Sequence, residues 1–512
     1  MADTTSTQPN NTSSDYDAML PYWTMIDDIM GGAKTMRAAK ERYLPRFEKE
    51  DREEYEARVK TAPWTPLYSD AFRNLASKPF NKELALDEKA HDELRELSEN
   101  IDAAGNHIHV FARKVFEAGI NNAIDWIWIG HTDVPEGASV ATRKALKARP
   151  YWTRIPAKRM LAVYEDVVEG EVLIVHARFD ESIKRRVGFG EETIERVRVL
   201  DRERIETVEN GVPKVSYGPP TYQLWERKEA KGRTSSSWAV IEQGRISIDV
   251  IPLVPFVVGD REVGSFEIRP PLRDLAYMQI TEFQMESDRK RVQTMTAFPV
   301  SVFKGVEAPD DGEKVTLGPR AAFFFPPVGD GGQLGDFKFA EPSGAAGTML
   351  REDLTEFRRE MREAGMQPLT KFSGSLTATE VMVNDAKAHS AVEMWALALK
   401  DALEHAFVIT CKWLGLSEKD HPNVKVNTDF AIGAQTAEEM GLILQMYEKG
   451  LISADQVIDE ALRRNIIGPD YDRDEDLKRI IEQITERLED EQAAMPPGDQ
   501  SDDEEEDQTD AA

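Results

Sequence analysis

The side chains best suited to chemistry are few in this chain and poorly spaced for it. Its eight histidines include no His-Glu-x-x-His pair. The one close pair, His107 and His109, alternates on a strand or diverges on a helix, so metal ligation is not expected there. His389 falls within a long helical run, where a packed or capped imidazole is a plainer reading than a base. Residues 329–335, GDGGQLG, imitate a phosphate loop, but no Gly-Lys-Ser/Thr follows and no helix opens there. Asp470, Asp472 and Asp474 imitate the start of a calcium loop. Glu475 then stands where that loop needs glycine, and Ile481 where it needs a bidentate glutamate. No Gly-x-Ser-x-Gly occurs, and the lone Cys411 lies in an apolar helical pattern between Phe407 and Trp413, as a core thiol would. No catalytic residue, no metal and no cofactor is therefore expected. The enzyme alternative, a hydrolase or transferase with scattered catalytic residues, would require a concave pocket of convergent polar groups.

Bulk properties narrow the classes further. At 512 residues and 41% hydrophobic, the chain is long enough for more than one core. Its longest apolar stretches, such as Ile251 to Val258, fall well short of the ~20 residues that span a bilayer, so no membrane association is expected. A formal charge of -29 argues against a protein that wraps DNA in lysine and arginine, because such affinity comes from neutralising phosphates. It leaves room for one that DNA slides past. Part of the excess sits in the terminal run QSDDEEEDQTD.

The elements that would position any site alternate between helical and extended patterns, an α+β organisation. Residues 1–15 are polar and aperiodic and predict disorder. Residues 16–150 read as helical as far as about Ile129, with breaks at Pro63, Pro66 and Pro79. Residues 151–265 carry short Val-, Ile-, Tyr- and Trp-rich runs and predict an antiparallel sheet. After Pro270 and Pro271, residues 266–297 hold one helix whose second half is charged, including Arg289, Lys290 and Arg291. Residues 298–347 predict a compact β insertion. In the helix at 348–365, Leu350, Leu354, Phe357 and Met361 alternate steps of four and three, one narrow apolar seam among Arg358, Arg359, Arg362 and other charges. A loop at 366–376 leads to a helix over 377–415, opened by a Thr377/Glu380 capping box, with Val392, Trp395, Leu399, Ala402, Ala406, Ile409 and Trp413 on its buried face. Residues 416–492 predict a small helical module, and 493–512 an acidic, disordered tail.

The order of these parts from Ile251 onward resembles the portal proteins of tailed bacteriophages. The segments that carry it are IPLVPFVVG (251–259), FEIRPPLRDLAYMQITEFQMESDRKR (266–291), AFPVSVFKG (297–305) and SLTATEVMVNDAKAHSAVEMWALALKDALEHAF (375–407). YSDAFRNLASKPF (68–80) and YWTRIPAKRMLAV (151–163) add to it, so the likeness runs from about Tyr16 to Ile467 and rests on order rather than on one motif.

That resemblance implies a portal-type fold: a helical wing, an antiparallel β wing region, a two-helix stem, a β-containing clip, a tunnel loop, a very long wing helix and a small helical C-terminal crown. It implies a homo-oligomeric ring, a dodecamer in that family, at one capsid vertex, assembled in the host cytoplasm and carried in the virion. Partners by the same implication are the large terminase subunit, head–tail adaptor or connector proteins, the major capsid and scaffolding proteins, and transient, non-specific double-stranded DNA in the channel. The stem residues would be Arg289, Lys290, Arg291, Leu350, Leu354, Phe357, Arg358, Arg359, Met361 and Arg362, the seam packing on the preceding helix or on a neighbour, the other charges of its helix making inter-subunit pairs and part of the channel wall, and Arg289, Lys290 and Arg291 ringing the channel. Gln367, Thr370, Lys371 and Ser373 would form the tunnel loop, with Lys371 its full positive charge. Phe323, Phe324 and Phe325 would dock a partner at the clip. Plainer readings stand beside these: the seam as intramolecular core, Lys371 as a solvated lysine, the Phe run as a buried strand, and Arg289, Lys290 and Arg291 as a solvated helical face. The remaining alternative is a capsid-associated adaptor or scaffolding protein that oligomerises without a DNA channel.

Overall fold

The computed structural model describes residues 8–87, 89–132, 145–146, 148–209, 212–229, 236–297, 300–304, 336–340, 345–365, 378–428, 430, 436–463, 466–468 and 471–494. It is a mixed helix-and-strand, α+β molecule that divides into two units, Met1–Phe430 and Ala431–Ala512.

The first unit opens with helices α1 (Ser14–Met30), α2 (Ala33–Ala38), α3 (Arg52–Thr61), α4 (Leu67–Ser77), α5 (Asp92–Glu99) and α6 (Ile108–Asn122). The first helix begins at Ser14, slightly before the polar segment was expected to end, because Ser13 caps it by accepting from the Tyr16 amide at 3.2 Å. A larger departure follows α6. The helical pattern expected to reach Ile129 stops at Ala123, which takes a left-handed φ of 67°. Ile124–His131 then forms strand β2. The run IDWIWIGH is apolar on nearly every position, so it lacks the alternation that announces a strand, and its β-branched and aromatic content is the surviving signal. Strand β2 is the middle of a three-stranded antiparallel sheet between β3 (Pro150–Ile155) and β13 (Leu253–Val257). Helix α6 lies close on this sheet at Gly119, where a Cβ would collide with the Phe256 ring. The short strand β1 (Ala85–Leu86) pairs with β16 (Val424–Lys425).

Residues 160–245 form the predicted antiparallel region. Strands β12 (Ser236–Arg245), β11 (Thr221–Glu229), β8 (Arg196–Asp201), β5 (Glu171–Asp180) and β4 (Met160–Val168) make a five-stranded sheet in that order. Two hairpins extend from it: β6 (Ile183–Val187) with β7 (Gly190–Ile194), and β9 (Arg204–Glu209) with β10 (Val212–Tyr217).

Helix α7 (Arg273–Ala297) leads into β14 (Val300–Lys304), which pairs antiparallel with β15 (Asp336–Ala340) ahead of helix α8 (Ala345–Ala364). Helix α9 (Ala378–Leu414) is 37 residues long, close to the expected span. Its face Val392, Trp395, Leu399, Ala402, Ala406 and Ile409 is buried, and Trp413 packs half-buried at its end. Cys411 is fully buried, and that burial pushes its thiol up to about 11. One apolar cluster joins α1 to α6, the three-stranded sheet, α7 and α9. In the second unit, helices α10 (Thr436–Glu448), α11 (Ala454–Arg463) and α12 (Arg473–Ala494) follow one another. Among the described residues no helix is long and apolar enough to cross a membrane.

Candidate functional site: the α7–α8 helix pair

Helices α7 and α8 pack antiparallel. Arg358 of α8 meets Glu282 and Glu286 of α7, and Gly365 after α8 comes against Leu275 near the start of α7. With 25 residues, α7 extends about 37 Å at 1.5 Å per residue. Beyond the far end of the helices the chain continues in the β14–β15 pair, where Val300 is opposite Ala340. Helix, strand pair and helix thus form one continuous antiparallel unit.

Its inner face explains why the two helices hold one register. On α7, Leu275, Ala276, Gln279, Glu282, Phe283, Glu286 and Ser287 are all buried, a three- and four-residue spacing that mixes apolar and polar groups. On α8, Leu354 and Met361 are buried, Phe357 is half-buried against the core and Leu350 is partly exposed. The predicted seam therefore packs within the subunit at three of its four positions.

The buried polar groups are extensively paired. The guanidinium of Arg358 donates to Glu282 Oε1 at 2.6 and 3.0 Å, to Glu286 Oε1 at 2.5 Å and to Thr65 Oγ1 at 2.8 Å. Gln279 accepts from the Tyr68 amide at 2.9 Å and donates to the Thr65 carbonyl at 3.0 Å and to Glu282 Oε2 at 3.2 Å. Burial holds Glu282 above the usual carboxylate range, with Arg358 pulling the other way. Burial likewise opposes the charge on Arg358, but the hydrogen bonds to Glu282 and Glu286 outweigh it and hold its pKa above the ordinary value.

A second cluster ties α7 to α3. Glu50, almost fully buried, accepts from Arg58 at 2.8 and 2.9 Å and from Arg291 at 2.9 Å. The hydrogen bonds from Arg58 hold its carboxyl below the usual range. Both guanidinium groups also lie over the Phe47 ring, 4.6 and 5.2 Å from its centroid.

Other predicted stem residues divide by environment. Arg289 pairs with Glu286 at 2.8 Å, and Arg291 reaches Glu54 at 3.6 Å besides Glu50. Lys290 is exposed and Arg362 half-buried. Arg359 is exposed and pairs along its own helix with Glu356 and Glu363. Arg289, Arg291 and Arg358 thus have partners inside the subunit. Gln367, Thr370, Lys371 and Ser373 of the tunnel-loop segment lie outside the described residues, as do Phe323, Phe324, Phe325, Thr377, Asp470, the GDGGQLG run and the acidic tail.

Sequence reasoning overlooked Gln279, Glu282, Glu286, Glu50 and Arg58, the groups at the centre of both clusters. The available signal was their period: 275, 279, 282 and 286 share one helical face with Phe283, so the acids belong to the face that packs. Chemically, the arrangement fixes helices rather than presenting a reactive group, since each central carboxylate is covered by guanidinium donors. Elsewhere, His107 caps α6 by accepting from the His109 amide at 3.2 Å, while His109 Nδ1 accepts from the Leu84 amide at 3.0 Å, so the two imidazoles serve different contacts. Among the described residues no group of three His, Cys, Asp or Glu side chains is placed to hold a metal ion.

Comparison with known proteins adds the following. Residues 271–414, from the start of α7 to the end of α9, match a family described as a domain of unknown function (DUF4055). No curated protein matches the chain. Among solved structures the chain is similar to one from the virion of a native gene transfer agent particle, at 12% identity and a TM-score of 0.41, covering 84% of this chain and 99% of that one. It is also similar to a chain from the neck of the native gene transfer agent particle, computed with C12 symmetry, at 14% identity and a TM-score of 0.41, covering 84% and 98%. A chain from the neck of the empty particle, computed with C6 symmetry, matches at 14% identity and a TM-score of 0.41, covering 83% and 97%.

Proposed function

We propose that this chain is a non-catalytic portal subunit, closing into a ring at one capsid vertex of a phage-like particle, through which double-stranded DNA is packaged and ejected. The observation that carries the reading is the antiparallel α7–α8 pair, prolonged by β14–β15 and followed by the 37-residue α9. In this reading α7 and α8 are the stem, the β14–β15 segment is the clip that docks terminase and head–tail connector proteins, and α9 crosses the wing. The buried clusters at Arg358 and Glu50 keep the stem rigid and leave it anchored to the helical wing. An acidic chain suits a conduit, because DNA carries one negative charge per about 1.7 Å of axis and a strongly cationic lining would hold it. Identical subunits joined head to tail close when their rotation is an integral fraction of a circle, which makes every contact heterologous.

Negative-stain electron microscopy with mass photometry on the full chain tests this. Closed rings with a central hole that admits duplex DNA are the expected result. A monomer at every concentration overturns it, and a ring too narrow for a duplex supports an adaptor instead. Removing the residues beyond Pro496 is expected to leave ring formation intact, checked on the same grids.

A further inference from the structure

We propose that Phe189, at the tip of the β6–β7 hairpin, is the knob of the contact between adjacent copies of this chain. Its socket is the cavity of mixed apolar and charged lining between β5, β13 and α9 of the next copy. The inference rests on the ring reading above and names the surfaces that close the ring.

The knob is built to project. Strands β5 and β8 pair as far as Asp180 opposite Val197, the Glu181 amide donates to the Arg196 carbonyl at 2.9 Å, and β6 and β7 pair from Ile183 opposite Ile194. The two hairpins' worth of strand is therefore one long ribbon. Every residue of β6 is exposed. The end is held by the β6–β7 ladder, from Ile183 opposite Ile194 to Val187 opposite Gly190, and by Arg186 Nε donating to the Gly188 carbonyl at 2.8 Å. Gly188 takes a φ of +61°, and between it and Gly190 stands Phe189 with its side chain wholly in solvent. Turn chemistry favours Gly, Asn or Asp at such a position and gives no reason for a phenyl ring. A rigid tip carrying one aromatic side chain is instead the form of an interface anchor, since aromatic residues seated in pockets carry much of the energy of protein contacts.

The socket lies at the opposite end of the same ribbon. A cavity of about 420 Å³ has apolar walls at Val172, Val254 and Ala398 and charged groups at Arg202, Asp401 and the Arg261–Glu165 pair. Its α9 wall continues outward through Leu397 and Met394, which are 40% and 65% exposed. From Ile174 to Val187 the ribbon spans on the order of 40 Å at about 3.3 Å per residue. Because β6 is paired along its length, the tip cannot fold back to this cavity in its own chain. Knob and socket are thus different surfaces of one molecule, satisfied together only by another copy, and a contact of that kind repeats around a ring. The hairpin's Lys184 and Arg185 are paired with its own Glu191 and Glu192, which leaves Arg186 as its surplus positive charge, and the socket end exposes Glu171 and Asp401. One phenyl ring is an anchor within a larger interface, not the whole of it.

Thiol cross-linking tests the contact cleanly, because the only native cysteine, Cys411, is fully buried. The full chain carrying Phe189→Cys and Val172→Cys together, assembled and then oxidised, is expected to give a ladder of covalent oligomers on denaturing gels. Each single variant is expected to give none. Phe189→Asp is expected to weaken assembly at least tenfold in concentration by mass photometry. Wild-type rings with no ladder, and with Phe189→Asp assembling as wild type, overturn the knob while leaving the ring reading standing. A wild-type chain that stays monomeric overturns both.

Discussion

In the α7–α8 pair, Arg358 lies between Glu282 and Glu286, both withdrawn from water, and makes four short hydrogen bonds to them and to Thr65. In the β6–β7 hairpin, Lys184 meets Glu191 at 2.9 Å with about two thirds of each side chain in solvent, 68% and 66%. The distances are alike and the consequences are not. Water screens the exposed pair and stands ready to replace either partner, so little depends on it. Around Arg358 no water replaces the guanidinium, and the desolvation cost of the acids is offset only while the arginine is present. The first arrangement fixes a scaffold; the second decorates a projection whose distinctive group is an exposed phenyl ring.

The largest expected effect follows from removing the common partner. Arg358→Met leaves two buried carboxylates without their main donor and is expected to cost about 3–5 kcal/mol of stability. Chemical denaturation of the purified chain, read by tryptophan fluorescence, checks it. Replacing Glu282 and Glu286 by Leu in the same chain is expected to recover most of the loss, because no charge is then left stranded. A loss under about 1 kcal/mol for Arg358→Met alone would put this cluster in the same class as the hairpin pairs.

A second contrast lies within the buried charges and is read by pH. Asp125 on β2 is fully buried, with Arg154 donating to it at 2.6 Å and its other oxygen unpartnered among the described residues. Burial pushes this carboxyl up to about 8, against the pull of Arg154. A folded-state pKa above the ordinary 3.8 means the native chain holds this proton more tightly than the unfolded chain. Its contribution is complete below about 4 and is lost as pH rises towards about 8. Glu50 has the opposite sign: Arg58 holds it below its ordinary 4.5, so its contribution is present above that value and is lost as pH falls through the folded pKa. Thermal unfolding between pH 5 and 9 is therefore expected to show Asp125→Asn gaining on wild type as pH rises, levelling beyond about 8. Glu50→Gln is expected to lose its deficit only on the acid side. A pH-independent offset for Asp125→Asn would mean that Arg154 keeps the group ionised.

Much of this frame was legible in the sequence, and the illegible parts share a cause. The span of α9, its buried face and the α8 seam followed from periodicity and breakers, because each has one face in water and one in the core. Strand β2 did not, since Ile124–His131 is buried on both faces and shows no alternation. The acids of α7 were also missed. Charge normally marks a solvated face, and only the arginine supplied by α8, which tertiary packing brings to them, makes Glu282 and Glu286 compatible with burial. Single positions carry no record of such a partner.

The smallest effect completes the comparison. Lys184→Ala removes a well-formed 2.9 Å ion pair from the hairpin, yet is expected to change stability by less than about 0.5 kcal/mol, since the freed Glu191 is simply hydrated. Raising the salt concentration should leave even that difference smaller, because exposed pairs are screened within a Debye length of about 10 Å at 0.1 M. The same denaturation assay used for Arg358→Met reads both. If Lys184→Ala proved as costly in the dissociated chain as losing Arg358, the hairpin pair would not be solvated there. Its charged strands would then be covered within the chain itself, against the exposure of every residue of β6.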